Sequence, residues 1–177
     1  IEDENFYYFG TLNQSQFFKK LENEKYRNNF KLLIGFSYCQ KPKNCPEMRF
    51  SNKCSFNKTN PICKNCEIGI LKEKSKNFNP IIITTVNHFI NELLTLKTQY
   101  PNKNIYFITS ACKYSQDTFK KYFHLLNIYG IGIKLHGRCC KTKKAFLIAE
   151  DGIKHNTTYL PKNALALFNS LEKVMKI

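Results

Sequence analysis

The fold of this chain is decided by residues 80–110, which read PIIITTVNHFINELLTLKTQYPNKNIYFITS. The run 80–86 is apolar and rich in β-branched side chains, as expected of a buried strand. Residues 88–98 then place apolar side chains at helical spacing, and 104–110 is again an apolar run typical of a strand. A strand, a helix and a strand in succession predict a right-handed crossover between two parallel strands.

The same two patterns recur on both sides of this stretch. Further strands are predicted at 30–38 and 130–135. Further helices are predicted at 11–27, 68–76, 115–129, 142–150 and 161–175. Such alternation is typical of an α/β fold, here a doubly wound, mostly parallel sheet of at least four strands with helices on both faces. We expect one domain over 1–177, with a long cysteine-rich loop at 39–66 after the first strand.

The composition is that of a folded chain. Of the 177 residues, 42% are hydrophobic and 14% are aromatic, which is enough to bury a core without cross-links. No apolar run is long enough to span a membrane, and residues 1–5 lack the pattern of a signal peptide. A cytoplasmic protein is therefore expected, although a chain that begins at Ile1 rather than Met is compatible with an upstream anchor or leader.

The net charge of +15 is the feature that bears on partners. An excess of this size attracts nucleic acid, anionic membranes or acidic proteins. The chain is also rich in Asn, Ile, Phe and Tyr, as an AT-rich coding sequence would produce, so many lysines are equally explained as a solvated surface. A nucleic acid or an acidic protein is the partner that the charge predicts, and no pattern indicates an oligomeric state.

The cysteines lie at informative positions relative to the predicted strands. Eight are present: Cys39, Cys45, Cys54, Cys63, Cys66, Cys112, Cys139 and Cys140. The predicted strands 30–38, 104–110 and 130–135 each lead into one or two of them. Because the carboxyl ends of parallel strands lie along one edge of a sheet, where ligands bind, we expect the cysteines to gather there around a metal centre.

The loop at 39–66 carries the most specific local pattern. A long segment with so little apolar content needs something to order it. The sequence Cys63-Lys-Asn-Cys66 places two thiols within reach of one metal ion at the start of a helix, where the helix dipole favours thiolates. Lysines and arginines are abundant in the loop and around Cys139 and Cys140, and we expect them to lower the thiol pKa values there.

Three interpretations of the cysteines stay open. An iron–sulfur cluster suits thiolates that several strand ends bring together, structural zinc is the alternative, and disulfides in an oxidising compartment are the third. The spacings match neither a zinc finger nor the compact ferredoxin motif. The even number of cysteines and the glycosylation sequons at Asn13, Asn57 and Asn156 favour the third interpretation, but sequons are common by chance in so Asn-rich a chain.

A resemblance narrows the choice. The segment Cys63-Lys-Asn-Cys-Glu-Ile-Gly-Ile-Leu71, preceded by Cys45-Pro46 and Cys54 and followed by Ile-rich strands, resembles the cysteine-rich family called domain of unknown function 116. The resemblance covers about 39–154. It implies an α/β domain with a metal or iron–sulfur site at the four cysteines of this segment, and it implies no substrate. The other four cysteines are assigned from the strand pattern.

The first functional hypothesis is a protein with a cysteine-ligated iron–sulfur cluster in redox chemistry, sulfur chemistry or enzyme maturation. Whether it is an enzyme stays open, and the candidates for a catalytic role are Cys112, Cys139, Cys140 and His136. A hypothesis from another class is a zinc-stabilised basic module that binds RNA or another acidic partner. The third is a secreted disulfide-rich protein.

Overall fold

A five-stranded sheet forms the centre of the protein, in a computed structural model that describes residues 4–176. The strands are β1 Phe6–Phe9, β2 Phe30–Ser37, β3 Ile81–Ile83, β4 Asn104–Ala111 and β5 Ile128–Lys134. Their order across the sheet is β1-β5-β4-β2-β3. All neighbours pair in parallel except β1, which runs antiparallel to β5 at one edge. The predicted doubly wound, mostly parallel α/β fold is confirmed.

The helices follow the strands in alternation. They are α1 Gln14–Tyr26, α2 Pro61–Lys64, α3 Glu67–Lys74, α4 Val86–Gln99, α5 Lys113–Phe123, α6 Lys143–Glu150 and α7 Ala164–Met175. Two 3-10 turns lie at Tyr38–Gln40 and Lys76–Phe78, and a short antiparallel ribbon pairs β6 His136–Gly137 with β7 Thr158–Tyr159. No helix within residues 4–176 combines the length and the apolar character needed to cross a membrane.

Two hydrophobic clusters, one on each face of the sheet, hold the helices in place. On one face α1 and α7 pack through side chains such as Phe17 and Leu167, and on the other α4 and α5 pack through Phe89 and Phe119. Successive residues of a strand point to opposite faces, and neighbouring residues of β4 accordingly belong to different clusters. The helices therefore cover both faces, as the sequence predicts.

Capping residues fix where several of these helices begin. Asn13 accepts a hydrogen bond from the backbone N–H of Gln16 at 2.9 Å at the start of α1. Thr85 accepts one from the N–H of His88 at 3.0 Å at the start of α4. In each case the side-chain oxygen satisfies one of the helix's unpaired N-terminal donors. The cap at Thr85 matters for function because it starts α4 directly after β3.

The strand order reverses between β2 and β4. From β2 the chain crosses to β3 on one side, and it then returns to place β4 on the other side of β2. A reversal of this kind leaves a crevice at the carboxyl ends of the two strands, which is where open α/β sheets bind their ligands. A ligand-binding site is therefore expected in the region just after Ser37 and Ala111.

Several elements differ from the sequence-based prediction. The edge strand β1, the β6–β7 ribbon and α2 were not predicted, and the strand predicted over 80–86 is only Ile81–Ile83 because α4 begins at Val86. The helix predicted over 115–129 spans Lys113–Phe123. Asn127, with φ of 49°, has a left-handed backbone, and residues 128–129 then pair with residues 105–106 of β4. Helical spacing of apolar residues does not by itself separate the end of a helix from a short strand.

Candidate functional site

The carboxyl ends of β2, β3, β4 and β5 border a cavity of about 40 Å³ at the reversal of strand order. Four thiols line it, and we call them the crevice cysteines: Cys39, Cys112, Cys139 and Cys140. Cys39 lies in the 3-10 turn after β2, Cys112 is the N-cap residue of α5 after β4, and the adjacent pair lies between β6 and α6. The parallel sheet thus brings together cysteines that are far apart in sequence.

The other four cysteines line a second cavity, of about 20 Å³, inside the loop. We call them the loop cysteines: Cys45, Cys54, Cys63 and Cys66. The two cavities have no lining residue in common among the residues described. The structure therefore gathers the eight cysteines in two sets rather than in one. Cys39 opens the loop in sequence but lies with the strand-end thiols, because the 3-10 turn at Tyr38–Gln40 places it beside the crevice.

A buried lysine gives the loop its order. Only 1% of Lys41 is exposed, and its ammonium donates to the carbonyl oxygens of Met48 at 2.6 Å, Lys53 at 3.0 Å and Ser51 at 3.2 Å. The three N–H groups of one ammonium thus satisfy three backbone acceptors of a segment that has no ladder of its own. The sequence analysis missed this residue, because nothing in a lysine-rich chain distinguishes Lys41 from its neighbours.

Arg49 attaches the loop to the rest of the molecule. Its guanidinium donates to the backbone carbonyl of Cys39 at 3.3 Å and also to the carbonyls of Lys154 and Asn156. From the other side, Lys72 on α3 donates to the carbonyl of Cys54. These contacts use positive charge to satisfy backbone oxygens, so part of the basic excess of the chain has a structural role. The loop cysteines are held on a backbone that these cations fix.

The start of α3 shapes the environment of the loop cysteines. Cys63 lies in α2 and Cys66 is the N-cap residue of α3. Burial raises the pKa of the Cys66 thiol, and hydrogen bonds from the backbone amides of Gly69 and Ile68 lower it by less. The nearby thiols of Cys54 and Cys45 raise it further. Negative charge on Cys66 is therefore costly unless a cation compensates for it.

Burial also dominates in the crevice. It raises the pKa of the Cys39 thiol to about 11, against smaller lowering effects of Ser37 and Lys154. Burial likewise raises the pKa of Cys139, and Lys154 and Lys134 lower it by less. The expectation of a lowered thiol pKa at Cys139 is therefore wrong. The two lysines do lower this pKa, but they remain in contact with water, and the cost of desolvating a buried thiolate outweighs their effect.

Polar and charged groups complete the wall of the crevice. The ammonium of Lys154 lies 3.5 Å from the sulfur of Cys140, and the hydroxyl of Ser115 lies 3.5 Å from the sulfur of Cys112. Glu150 accepts a hydrogen bond from the backbone N–H of Val86 at 2.8 Å, and burial raises the pKa of its carboxyl. The crevice therefore combines thiols with one cation and one protonatable carboxyl.

His136 is not among the residues that line either cavity. Its Nε2 lies 2.8 Å from Oδ1 of Asn5, and its ring lies against Tyr159 across the β6–β7 ribbon. These contacts connect the ribbon to the segment that precedes β1. Of the four sequence-based candidates for a catalytic role, the three cysteines lie in the crevice and His136 does not.

The donor atoms can be compared with what a metal requires. All eight cysteines are free thiols. Within residues 4–176, no group of three or more His, Cys, Asp or Glu side chains is arranged to hold a metal ion. The composition of each set nevertheless fits a thiophilic metal, because four thiolates are the donor set of both structural zinc and iron–sulfur clusters. Binding requires the thiols of a set to move closer together.

Comparison with protein-family models, curated proteins and solved structures finds no match. The resemblance to domain of unknown function 116 therefore stays a prediction. The functional assignment has to be argued from the two cysteine sets themselves.

Proposed function

We propose that the chain is a metal-binding protein and that the loop cysteines hold its metal. One observation carries this proposal: Cys45, Cys54, Cys63 and Cys66 are irregularly spaced, yet they line a single small cavity. A segment with so few apolar residues has little other reason to gather four thiols in one place. The resemblance noted above predicts the same four residues independently of the coordinates.

An iron–sulfur cluster is the first candidate for the metal. It is the group for which an all-cysteine donor set brought together by tertiary structure is typical. Such a cluster supplies electron transfer or sulfur chemistry, which fits a role in redox reactions or in the maturation of another enzyme. The protein would contribute the amides at the start of α3, which stabilise negative charge on Cys66, and Lys72, which holds the backbone of Cys54.

A single zinc ion is the second candidate, and the size of the cavity favours it. About 20 Å³ is room for roughly one water molecule, so one ion requires a smaller displacement of the loop than a cluster of several irons does. Zinc would make the loop a structural element of a basic module, with RNA or another acidic partner bound through the net charge of +15. We place either form in the cytoplasm, where thiols stay reduced.

The experiment is anaerobic purification followed by a visible spectrum and elemental analysis for iron, zinc and acid-labile sulfide. An iron–sulfur cluster gives a brown protein with iron and sulfide, and zinc gives a colourless protein with one equivalent of metal. The double variant Cys63→Ser, Cys66→Ser should lose the metal. The matched control is Lys64→Gln, which changes an exposed residue between the two cysteines and should retain it.

A metal-free wild-type protein would overturn the proposal. Unchanged metal content in the double variant would overturn the assignment to the loop cysteines. Fewer reactive thiols than cysteines in denaturant, without reductant, would favour the secreted disulfide-rich alternative instead.

A further inference from the structure

The crevice contains four thiols of its own, apart from the loop cysteines. We propose that Cys39, Cys112, Cys139 and Cys140 form a second site for a soft divalent metal ion, and that it fills independently of the loop cysteines. The proposal extends the proposed function but does not rest on it, because the two sets line separate cavities.

The position of the crevice in the sheet supports a second metal site. The crevice lies at the reversal of strand order between β2 and β4, where open α/β sheets bind ligands. Cys39 and Cys112 follow these two strands directly, and the adjacent pair follows β5. The thiols come from three separate strand ends, so their meeting is a property of the sheet rather than of one local segment. The loop cavity has no such relation to the sheet.

The positive charges around the crevice also support a second metal site. Helices α4 and α5 both begin at the crevice, with Thr85 and Cys112 as their N-cap residues. The N-terminal ends of helices carry partial positive charge, which stabilises thiolates. The ammonium of Lys154, at 3.5 Å from the sulfur of Cys140, adds a full charge. A metal ion held by several thiolates would therefore have part of its excess negative charge compensated.

The two sets are also separate in the structure. The cavities that they line share no lining residue among those described. Gln40, which follows Cys39 in the chain, is 3% exposed; its amide donates to Glu67 of α3 at 2.8 Å, and its oxygen accepts from Ser110 at the end of β4. These hydrogen bonds fix the backbone next to Cys39 on both sides. Each set is therefore expected to bind its own ion.

The crevice offers more room than the loop. Its volume is about 40 Å³, which leaves space for a water molecule or another small ligand beside one ion. Glu150 lies in the same wall with a raised pKa, so a proton-carrying group faces that space. Four thiolates complete the coordination of one ion, so a small ligand would occupy the space beside the metal.

The test is an anaerobic titration of metal-free protein with Co²⁺, followed by the sulfur-to-cobalt charge-transfer band. Two fourfold variants are compared with the wild type. One carries Cys→Ser at the loop cysteines and the other at the crevice cysteines. The wild type should bind about two ions per chain, and each variant about one, because each variant keeps one four-thiol set.

The outcomes separate this proposal from the previous one. A single cobalt ion that disappears in the loop variant would overturn the crevice site and leave the loop site standing. A single ion that disappears in the crevice variant would support the crevice site and overturn the loop site. Two ions in the crevice variant would overturn the proposal, since the second ion would then bind elsewhere.

Single substitutions keep the test valid if a fourfold variant does not fold. Cys140→Ser and Cys112→Ser should each weaken the second cobalt ion more than about tenfold, because loss of a direct ligand costs at least as much as loss of an outer-shell partner. The first ion should be unaffected. The control Lys144→Gln, at an exposed position outside the lining of the crevice, should bind both ions with wild-type affinity. Equal affinities in all three variants would overturn the proposal.

Discussion

Lys41 shows how one side chain can replace a missing element of regular structure. Its ammonium has no carboxylate partner within hydrogen-bonding distance among the residues described, and three backbone carbonyls surround it instead. A buried charge is tolerated when its hydrogen bonds are satisfied. Lys41 therefore orders the loop, and the inference that a long apolar-poor segment needs an ordering agent leads first to this lysine.

Replacement of Lys41 should be among the more costly single changes in this protein. Lys41→Met leaves three carbonyls without their donor, and we expect a loss of about 3 kcal/mol in the free energy of unfolding. Urea unfolding of the metal-free protein measures it. Lys43→Met is the control, since Lys43 is exposed, and it should stay within about 0.5 kcal/mol of the wild type. Equal stability of the two variants would show that the three hydrogen bonds contribute nothing.

Glu150 should make stability depend on pH in a defined direction. Its folded-state pKa is raised, chiefly by burial, so folding favours the protonated carboxyl. The contribution is fully present below the unfolded-state pKa of about 4.3 and is lost as the pH rises through the folded-state pKa. Relative to the wild type, Glu150→Gln should therefore gain stability as the pH rises above the unfolded-state pKa of about 4.3.

Urea unfolding of Glu150→Gln and wild type at a series of pH values measures this change. Glu22→Gln serves as the control, because Glu22 is an exposed carboxylate on α1. A pH-independent difference between Glu150→Gln and the wild type would contradict the prediction. Such a result would mean that the hydrogen bond from Val86, which lowers the pKa, compensates fully for burial.

At the scale of elements, close packing between neighbours explains the glycines of β5. A Cβ atom at Gly130 would lie 2.1 Å from the ring of Phe107 on β4, and one at Gly132 would lie 2.2 Å from the side-chain amide of Gln116 on α5. These glycines allow a ring and a helix to approach the strand. Their role is therefore packing.

Gly130→Ala should destabilise the protein by about 2–3 kcal/mol, because the fully buried ring of Phe107 has to move. Gly132→Ala should cost less, since the atoms that its Cβ meets are the end of a flexible side chain. Thermal and urea unfolding of the two variants give the comparison. The reverse order of stabilities would show that Gln116 is held more rigidly than Phe107.

The sequence predicted those parts of the site that depend on strand direction. Because parallel strands end at one edge, Cys112 and the pair Cys139 and Cys140 could be placed together without coordinates. Cys39, which directly follows the predicted strand 30–38, could be placed with them in the same way. The separate cavity of the loop cysteines could not be predicted, because the loop has no periodic pattern from which to predict its path. Lys41 and Arg49 were missed for a related reason: their partners are backbone carbonyls, which carry no residue-type signal.

For the fold, long elements were predicted more reliably from the sequence than short ones. Helix α4 and strand β4 were found because each repeats its period over many residues. Strand β1 has four residues, all aromatic, and alternates too briefly to indicate a strand. Only its pairing with β5, from Phe6 opposite Ile133 to Phe9 opposite Gly130, defines it. Short edge elements are thus fixed by tertiary contacts rather than by their own sequence.

At the scale of the whole molecule, the state of the thiols distinguishes the main interpretations. All eight cysteines are free, so denatured, metal-free protein prepared without reductant should give eight reactive thiols with a disulfide reagent such as Ellman's. In the native state Cys39 should react slowly, because burial raises its pKa to about 11 and the reactive thiolate is scarce at neutral pH. A count of zero in denaturant would establish the disulfide-rich alternative.

Three consecutive residues, Cys39, Gln40 and Lys41, serve three different parts of the molecule. Cys39 lines the crevice, Gln40 is hydrogen-bonded to Glu67 and Ser110, and Lys41 holds the backbone of the loop. Because Gln40 is anchored on both sides, a displacement of Cys39 is opposed before it reaches Lys41. The two cysteine sets are joined in sequence through a single residue, yet each can change its own geometry without changing that of the other.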